Sequence, residues 1–322
     1  MGKMSAAKAR LLYVLSPAKT LDMTSPTVAQ SSVPKMLAEA QELVTELRKL
    51  SPAKMKALLG VSDALAKLNH GRYRDFAFLD EKEAATLTPS AVHKQAVLSF
   101  NGPAYVGLAA NELSEKDLAY AQSHLRILCG LYGMLRPLDL IQAYRLEMGQ
   151  KFATAKGKDL YAFWGTRLSQ EINALFAEDA GSQKVLVNVA SQEYFKSIAL
   201  DVLDDDVHVI ECVFKDDGKI KSVYAKRARG LMCRYLVTKQ VDSIDGIKAF
   251  DLEGYAFSAK ESDDNTFVFN RSVAKQKQAL KETQAKAKRA KDVKKEEKDD
   301  EEEHTEAPAR RTSTRKRRKT ES

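Results

Sequence analysis

Residues 130–149, GLYGMLRPLDLIQAYRLEMG, constrain the fold more than any other stretch of the chain. A core helix would not carry three glycines and an Arg-Pro step, and a surface loop would not be this rich in leucine and methionine. Gly130 and Gly133 are positions where the backbone can take φ > 0 or let another group approach closely. Pro137 confines Arg136 to an extended conformation. Arg145 and Glu147 stand two apart and share one side if the segment is extended. Two readings remain open at this point. The stretch is a buried turn whose arginines are paired to carboxylates, or it is part of a functional site.

Around it the pattern alternates short apolar runs with helical stripes, which predicts a mixed α/β (α+β) fold: a single domain with a central sheet wrapped by helices. Strands are predicted at Leu11–Leu15, Ala96–Phe100 and Val185–Val189, with a hairpin of Val207–Phe214 and Ile220–Tyr224 about Asp217-Gly218. Helical spacing runs through Pro34–Leu50 and Asp159–Phe176. It also runs through Leu118, Ala121, Leu125 and Leu128 behind a Ser114/Asp117 capping box. LLGVSDALAKL (Leu58–Leu68) has the form of a helix-hairpin-helix, with Gly60 at the turn, although Ser62 stands where a second glycine is usual. Ser191 is placed to cap a helix after VLVNV, and KRARG (Lys226–Gly230) to open the last long helix. The sole tryptophan, Trp164, is read as core.

Basic residues recur just after apolar runs: Lys19 after Leu11–Leu15, Lys196 after VLVNV, Lys226 and Arg229 after SVY. With Arg136 and Arg145 they could converge as a cationic cleft for a phosphodiester backbone. Cations early in a helix oppose its macrodipole, so their placement asks for an anion or for hydrogen-bonded carboxylates. Glu147 and Glu193 are the candidate catalytic residues of a rival, enzymatic reading, as general acid or base.

Composition limits these options. The chain of 322 residues carries a formal charge of +8, but residues 271–322 hold 18 Lys+Arg and 11 Asp+Glu, so +7 of it lies there and only +1 in the rest. Nucleic-acid binding by the body must therefore come from local clustering. Cys129, Cys212 and Cys233 form no CxxC pair and no histidine stands at ligand spacing, so neither a metal nor a cofactor is expected. No Walker loop, dinucleotide fingerprint, nucleophile elbow or zinc-deaminase signature is present. No apolar run reaches spanning length, so no membrane partner is expected. Residues 1–10 are expected to be a flexible N-terminus and 11–271 the folded domain. Residues 272–322 are expected to be a charged, low-complexity, disordered tail.

The motifs SPAKT (16–20), GLYGMLRPLDLIQAYRLEMG, GKDLYAFWG (157–165), NVASQEYFK (188–196), YAKRARGLM (224–232) and LEGYAF (252–257) together resemble the YaaA peroxide-stress family, in order and over residues 10–271. In that family the loop at Asn101 and Pro103 commonly carries a lysine and an aspartate, so this chain departs there. The resemblance implies a DNA-binding protein of the oxidative stress response that limits free-iron-driven damage. Binding of double-stranded DNA would use a positive cleft and a helix-hairpin-helix. The alternative is an enzyme acting on a nucleotide or nucleic-acid base through Glu147 and Glu193. A cytoplasmic location is expected, with the Arg310–Lys319 cluster offering entry to the nucleus.

Overall fold

The apolar run near the N-terminus becomes the strand Ala9–Leu15 (β1), whose residues are all buried except half-exposed Arg10. It is the axis of a seven-stranded sheet. The computed structural model describes residues 8–24, 28–179, 181–283 and 285. The other strands of the sheet are Leu125–Cys129 (β2), Gly133–Leu135 (β3), Gln183–Asn188 (β4), Val207–Asp216 (β5), Ala256–Phe257 (β6) and Thr266–Arg271 (β7). Their spatial order is β6-β7-β5-β4-β1-β2-β3. The five inner strands are parallel and the two edge strands antiparallel. From β1 the chain adds β2 on one side, then crosses back to lay β4, β5 and β7 on the other. The sheet therefore has its topological switch point between β1 and β4.

The chain divides into two units, residues 1–272 and 273–322. All seven strands belong to the first. In the second, residues 273–283 are helical. The expected tail, including Arg310–Lys319, otherwise lies outside the described residues.

The central stretch is organised by its glycines, each in a different way. Gly133 takes φ +67, as the turn from β2 into β3 requires. Gly130 lets two backbones meet: a Cβ there would sit 2.3 Å from Leu146 O. Of residues 130–149, all but Arg136, Ala143, Arg145 and Gly149 are buried. Trp164 is fully buried and donates its Nε1–H to Gly130 O at 3.1 Å.

Several sequence expectations are corrected. Leu125–Cys129 is a strand, not the end of a helix; the helix stops at His124 (Glu115–His124), with the expected Ser114/Asp117 box at its start. A run of five buried residues fits either period, and pairing with β1 decides it. Ala96–Ser99 is one helical turn, not a strand. Asp159–Phe176 is two helices, Leu160–Trp164 and Arg167–Ala177, separated at Gly165 with φ +53. The Asp217-Gly218 turn forms, with φ +56 and +71, but no second hairpin strand follows. The edge that Ile220–Tyr224 would have used is occupied by β7, paired with β5 from Glu211 to Asp216. The chain instead enters the helix Ser222–Thr238, so Lys226 lies in its second turn rather than opening it.

Residues 52–74 fold as two helices, Pro52–Leu59 (α1) and Asp63–Arg74 (α2), joined through Gly60 at φ +60. Two further helices, Pro103–Leu108 (α3) and Ser222–Thr238 (α4), touch backbone to backbone. A Cβ on Gly107 would lie 2.4 Å from Arg227 O, and one on Gly230 would lie 1.7 Å from Ala104 O.

These glycines allow a paired test by thermal melting. Nothing lies within 4 Å of a Cβ at Gly60, so Gly60→Ala should cost only the left-handed backbone strain, about 1 kcal/mol. Gly230→Ala must separate two helices and should cost about 2–3 kcal/mol or more. Equal destabilisation by the two would contradict the close contact of α3 and α4.

Candidate functional site

The loops leaving β1 and β4 are tied to each other at the switch point. Ser16 Oγ accepts from the Ser191 amide at 2.8 Å and donates to Ser191 Oγ at 3.2 Å. Ser191 was expected to cap the helix Gln192–Phe195; its hydroxyl makes no cap hydrogen bond and serves this link instead. Tyr105, on α3, donates to Ser16 O at 3.1 Å. In front of these loops is a cavity of about 680 Å³, walled by the SPAKT loop, residues 101–105, 144–147 and 191–194, the middle of β5, and α4. Tyr105, Tyr144, Tyr194 and Phe214 give it an aromatic side. A volume of this size holds a small molecule or one nucleotide.

Six of the candidate residues line this one cavity: Lys19, Arg145, Glu147, Glu193, Lys226 and Arg229. They arrive from four segments. Lys19 comes from the loop after β1, Arg145 and Glu147 from the central stretch, Glu193 from the loop after β4, and Lys226 and Arg229 from one face of α4. The close contact of α3 and α4 holds that face beside Asn101, Gly102 and Pro103, which also line the cavity. The two positions where the chain departs from the family pattern are therefore on its wall.

Glu147 is buried; it accepts from Gln150 Nε2 at 2.8 Å and Arg145 Nε at 3.2 Å, and Lys19 Nζ is an ion-pair partner at 3.6 Å. Lys19 itself is largely exposed. Glu193 is exposed and accepts from the Gly149 amide at 2.9 Å. Gly149 is what permits this, since a Cβ there would lie 3.0 Å from the Glu193 carboxylate oxygen. Burial lowers the Arg229 pKa, and Glu211 across the cavity opposes that. Arg229 Nε is buried with no hydrogen-bond partner among the described residues. With Glu211 the wall carries four basic and three acidic side chains. It is a mixed site, not a plain cationic trough.

The structure does not bring the remaining candidates to this cavity. Arg136 is paired within its own turn, with Nε and Nη2 reaching Asp139 Oδ1 at 3.0 and 2.9 Å and Nη2 also donating to Val33 O. Asp139 is fully buried, and desolvation raises its pKa against the pull of Arg136. Lys196 lies 5.0 Å from the Tyr161 ring centre. Gly60 sits in the α1–α2 turn. Sequence reasoning missed the Ser16–Ser191 link, Glu211 and Ile220. The first had a signal in Ser16, directly after a strand; Glu211, inside a β-branched run, had none.

No three His, Cys, Asp or Glu side chains gather as a metal site among the described residues. All three thiols are buried, and burial raises each pKa, that of Cys129 to about 11.

The two arginines give a prediction by melting. Arg136→Gln removes the ion-pair partner of buried Asp139, which keeps Ser32 Oγ at 2.6 Å and the residue-136 amide at 2.8 Å, at a cost of roughly 2 kcal/mol, less than for a fully buried pair because Arg136 is 38% exposed. Arg145→Gln leaves Glu147 with Lys19 and Gln150 and should also cost roughly 2 kcal/mol. Only the Arg145 variant should change ligand binding in the cavity. Loss of binding by Arg136→Gln at matched stability would contradict this division.

Comparison with known proteins agrees with the motifs. The profile of the peroxide stress protein YaaA matches residues 11–261. A UPF0246 protein of Burkholderia mallei (strain SAVP1) is 51% identical over 266 residues, covering 81% of this chain and 98% of the relative. UPF0246 proteins of Burkholderia pseudomallei (strain K96243) and Burkholderia thailandensis show the same identity and coverage. The chain belongs to the YaaA peroxide stress protein family.

Proposed function

We propose that this chain serves the peroxide stress response by binding nucleic acid, with one nucleotide unit taken into the cavity at the sheet's switch point. The observation that carries the reading is the gathering of Lys19, Arg145, Glu147, Glu193, Lys226 and Arg229 on the wall of one cavity of about 680 Å³. That volume suits a single nucleotide and excludes a duplex. Double-stranded DNA is the proposed partner: its backbone lies across the exposed lysines while one nucleotide leaves the stack. The mixed charge supports this. Phosphate oxygens suit Lys19, Lys226 and Arg229, and base N–H groups suit Glu193 and Glu211, with aromatic rings to stack on.

The α1–α2 pair is an outer contact in this reading. Its turn has the left-handed glycine that a phosphate-holding hairpin uses, but Asp63 occupies the first turn of α2 and pairs with Lys56 at 3.0 Å. A carboxylate at that helix start opposes a phosphate. Limitation of iron-driven damage then follows from protecting DNA. Location in the cytoplasm, with entry to the nucleus through Arg310–Lys319, is part of the same proposal and concerns residues outside those described.

The second reading is enzymatic, favoured by the presence of both Glu147 and Glu193 on the one wall. Two hydrogen-bond donors and the Lys19 ion pair already occupy Glu147. Glu193, exposed and with one backbone donor, is the carboxylate that would exchange a proton with a bound base.

Lys226→Gln should weaken duplex binding and reduce the slope of log K against log salt by about one unit. Glu193→Gln should change the preference among bases and leave the slope unaltered. A Lys226 variant with the parent's affinity and slope would remove DNA from the cavity reading. Protection is not expected to consume thiols, since a raised pKa suppresses the thiolate that peroxide attacks. Titration of Cys129, Cys212 and Cys233 in the folded protein should be unchanged after peroxide, and rapid loss of any thiol would overturn this expectation.

A further inference from the structure

Ile220 is 64% exposed and Val223 68% exposed. Both stand where the chain leaves β5 for α4, and Ile220 also lines the cavity. Lys219 and Lys221 flank Ile220 in sequence, and Lys226, exposed, follows in the second turn of α4. These two β-branched residues, three apart in sequence, are more exposed than any other large apolar side chain among the described residues.

The mount beneath this tip is stiff. Asp217 and Gly218 form a tight turn at φ +56 and +71, and the Asp216 amide donates to Lys219 O at 2.8 Å. The turn is also fastened to β7 from the side: the Asp217 amide donates to Arg271 O at 2.9 Å and the Gly218 amide to Asn270 Oδ1 at 3.2 Å. A loop that merely connects a strand to a helix needs neither these fastenings nor an exposed isoleucine at its tip.

We propose that Ile220 is a wedge: it enters the base stack of a DNA duplex beside the nucleotide that occupies the cavity, while Lys219 and Lys221 meet phosphates on either side. Apolar side chains on rigid mounts unstack base steps in this way, and an inserted side chain fills the gap that an extruded nucleotide leaves. The charges argue for nucleic acid over an apolar protein partner, because three lysines fall within residues 219–226. The inference rests on the nucleotide-in-cavity reading and extends it to how the nucleotide leaves the duplex.

The test uses the full chain, a duplex oligonucleotide carrying 2-aminopurine at one position, and the free mononucleotide dAMP. Binding of the duplex by the parent protein should raise 2-aminopurine fluorescence as the base unstacks. Ile220→Ala should lose most of that rise even at protein concentrations that saturate its own dAMP site. Ile220→Leu should retain the rise. Melting of both variants should match the parent, since the side chain is exposed. A full fluorescence rise with Ile220→Ala overturns the wedge, as does a parent that binds dAMP and gives no rise on the duplex. So does a parent dimer that Ile220→Ala dissociates, which would make the tip a contact between copies. Failure of the parent to bind dAMP brings down the cavity reading first and the wedge with it.

Discussion

The sheet changes its direction of growth at β1, and the functional geometry depends on that reversal. When β2 is laid on one side of β1 and β4 on the other, the loops that leave β1 and β4 must part to follow their separate crossovers. The gap between them cannot be filled by a crossover helix. Here it is closed at the base by Ser16 and Ser191 and left open above as the cavity. Four of the charged side chains in the cavity are delivered by elements whose position follows from this arrangement. Lys19 and Glu193 come from the two parting loops, and Lys226 and Arg229 from the helix after β5.

Two kinds of constraint keep those charges in place. One is steric. Glycines at 107, 130, 149 and 230 stand where a Cβ would come within 3.0 Å of another residue, so helix, strand and loop approach more closely than side chains would permit. The other is electrostatic. Buried Glu147 gathers Arg145, Lys19 and Gln150 around it, and buried Asp139 holds Arg136 and Ser32. Removing a partner from either carboxylate leaves charge in a low-dielectric place, which is why these arginines are part of the scaffold. Arg145 does both jobs, since it steadies Glu147 and also faces the cavity.

Much of this was legible in the residues. The loop after an apolar first strand pointed to Lys19, which stands on the cavity wall, and of the two readings open for 130–149 the structure shows both a largely buried stretch and, at residues 144–147, a part of that wall. The resemblance carried by six motifs agrees with the family match. The errors have physical causes. Leu125–Cys129 and Ala96–Phe100 are short apolar runs that fit a strand or a helical turn equally, and only their tertiary neighbours decide. The hairpin failed because β7, some fifty residues on, takes the edge its second strand would need, and nothing local announces that competition. Arg136 and Arg145 looked alike in sequence. They part company because Asp139 lies inside the Arg136 turn, whereas Glu147 lies on the cavity wall.

The side chain of Tyr73 joins the paired helices to this site by two hydrogen bonds. The hydroxyl of Tyr73, a buried residue of α2, donates to Arg145 O at 2.6 Å and receives the Arg145 amide at 3.3 Å. The backbone between Arg145 and Glu147 is therefore anchored from behind by α2, some seventy residues earlier in the chain. Any event that shifts α2 is conveyed to the floor of the cavity without passing through the sheet. Solvent exchange of the Arg145 amide then reports the seating of α2, and a ligand that gripped the helical pair would register there before it touched a charged residue of the cavity.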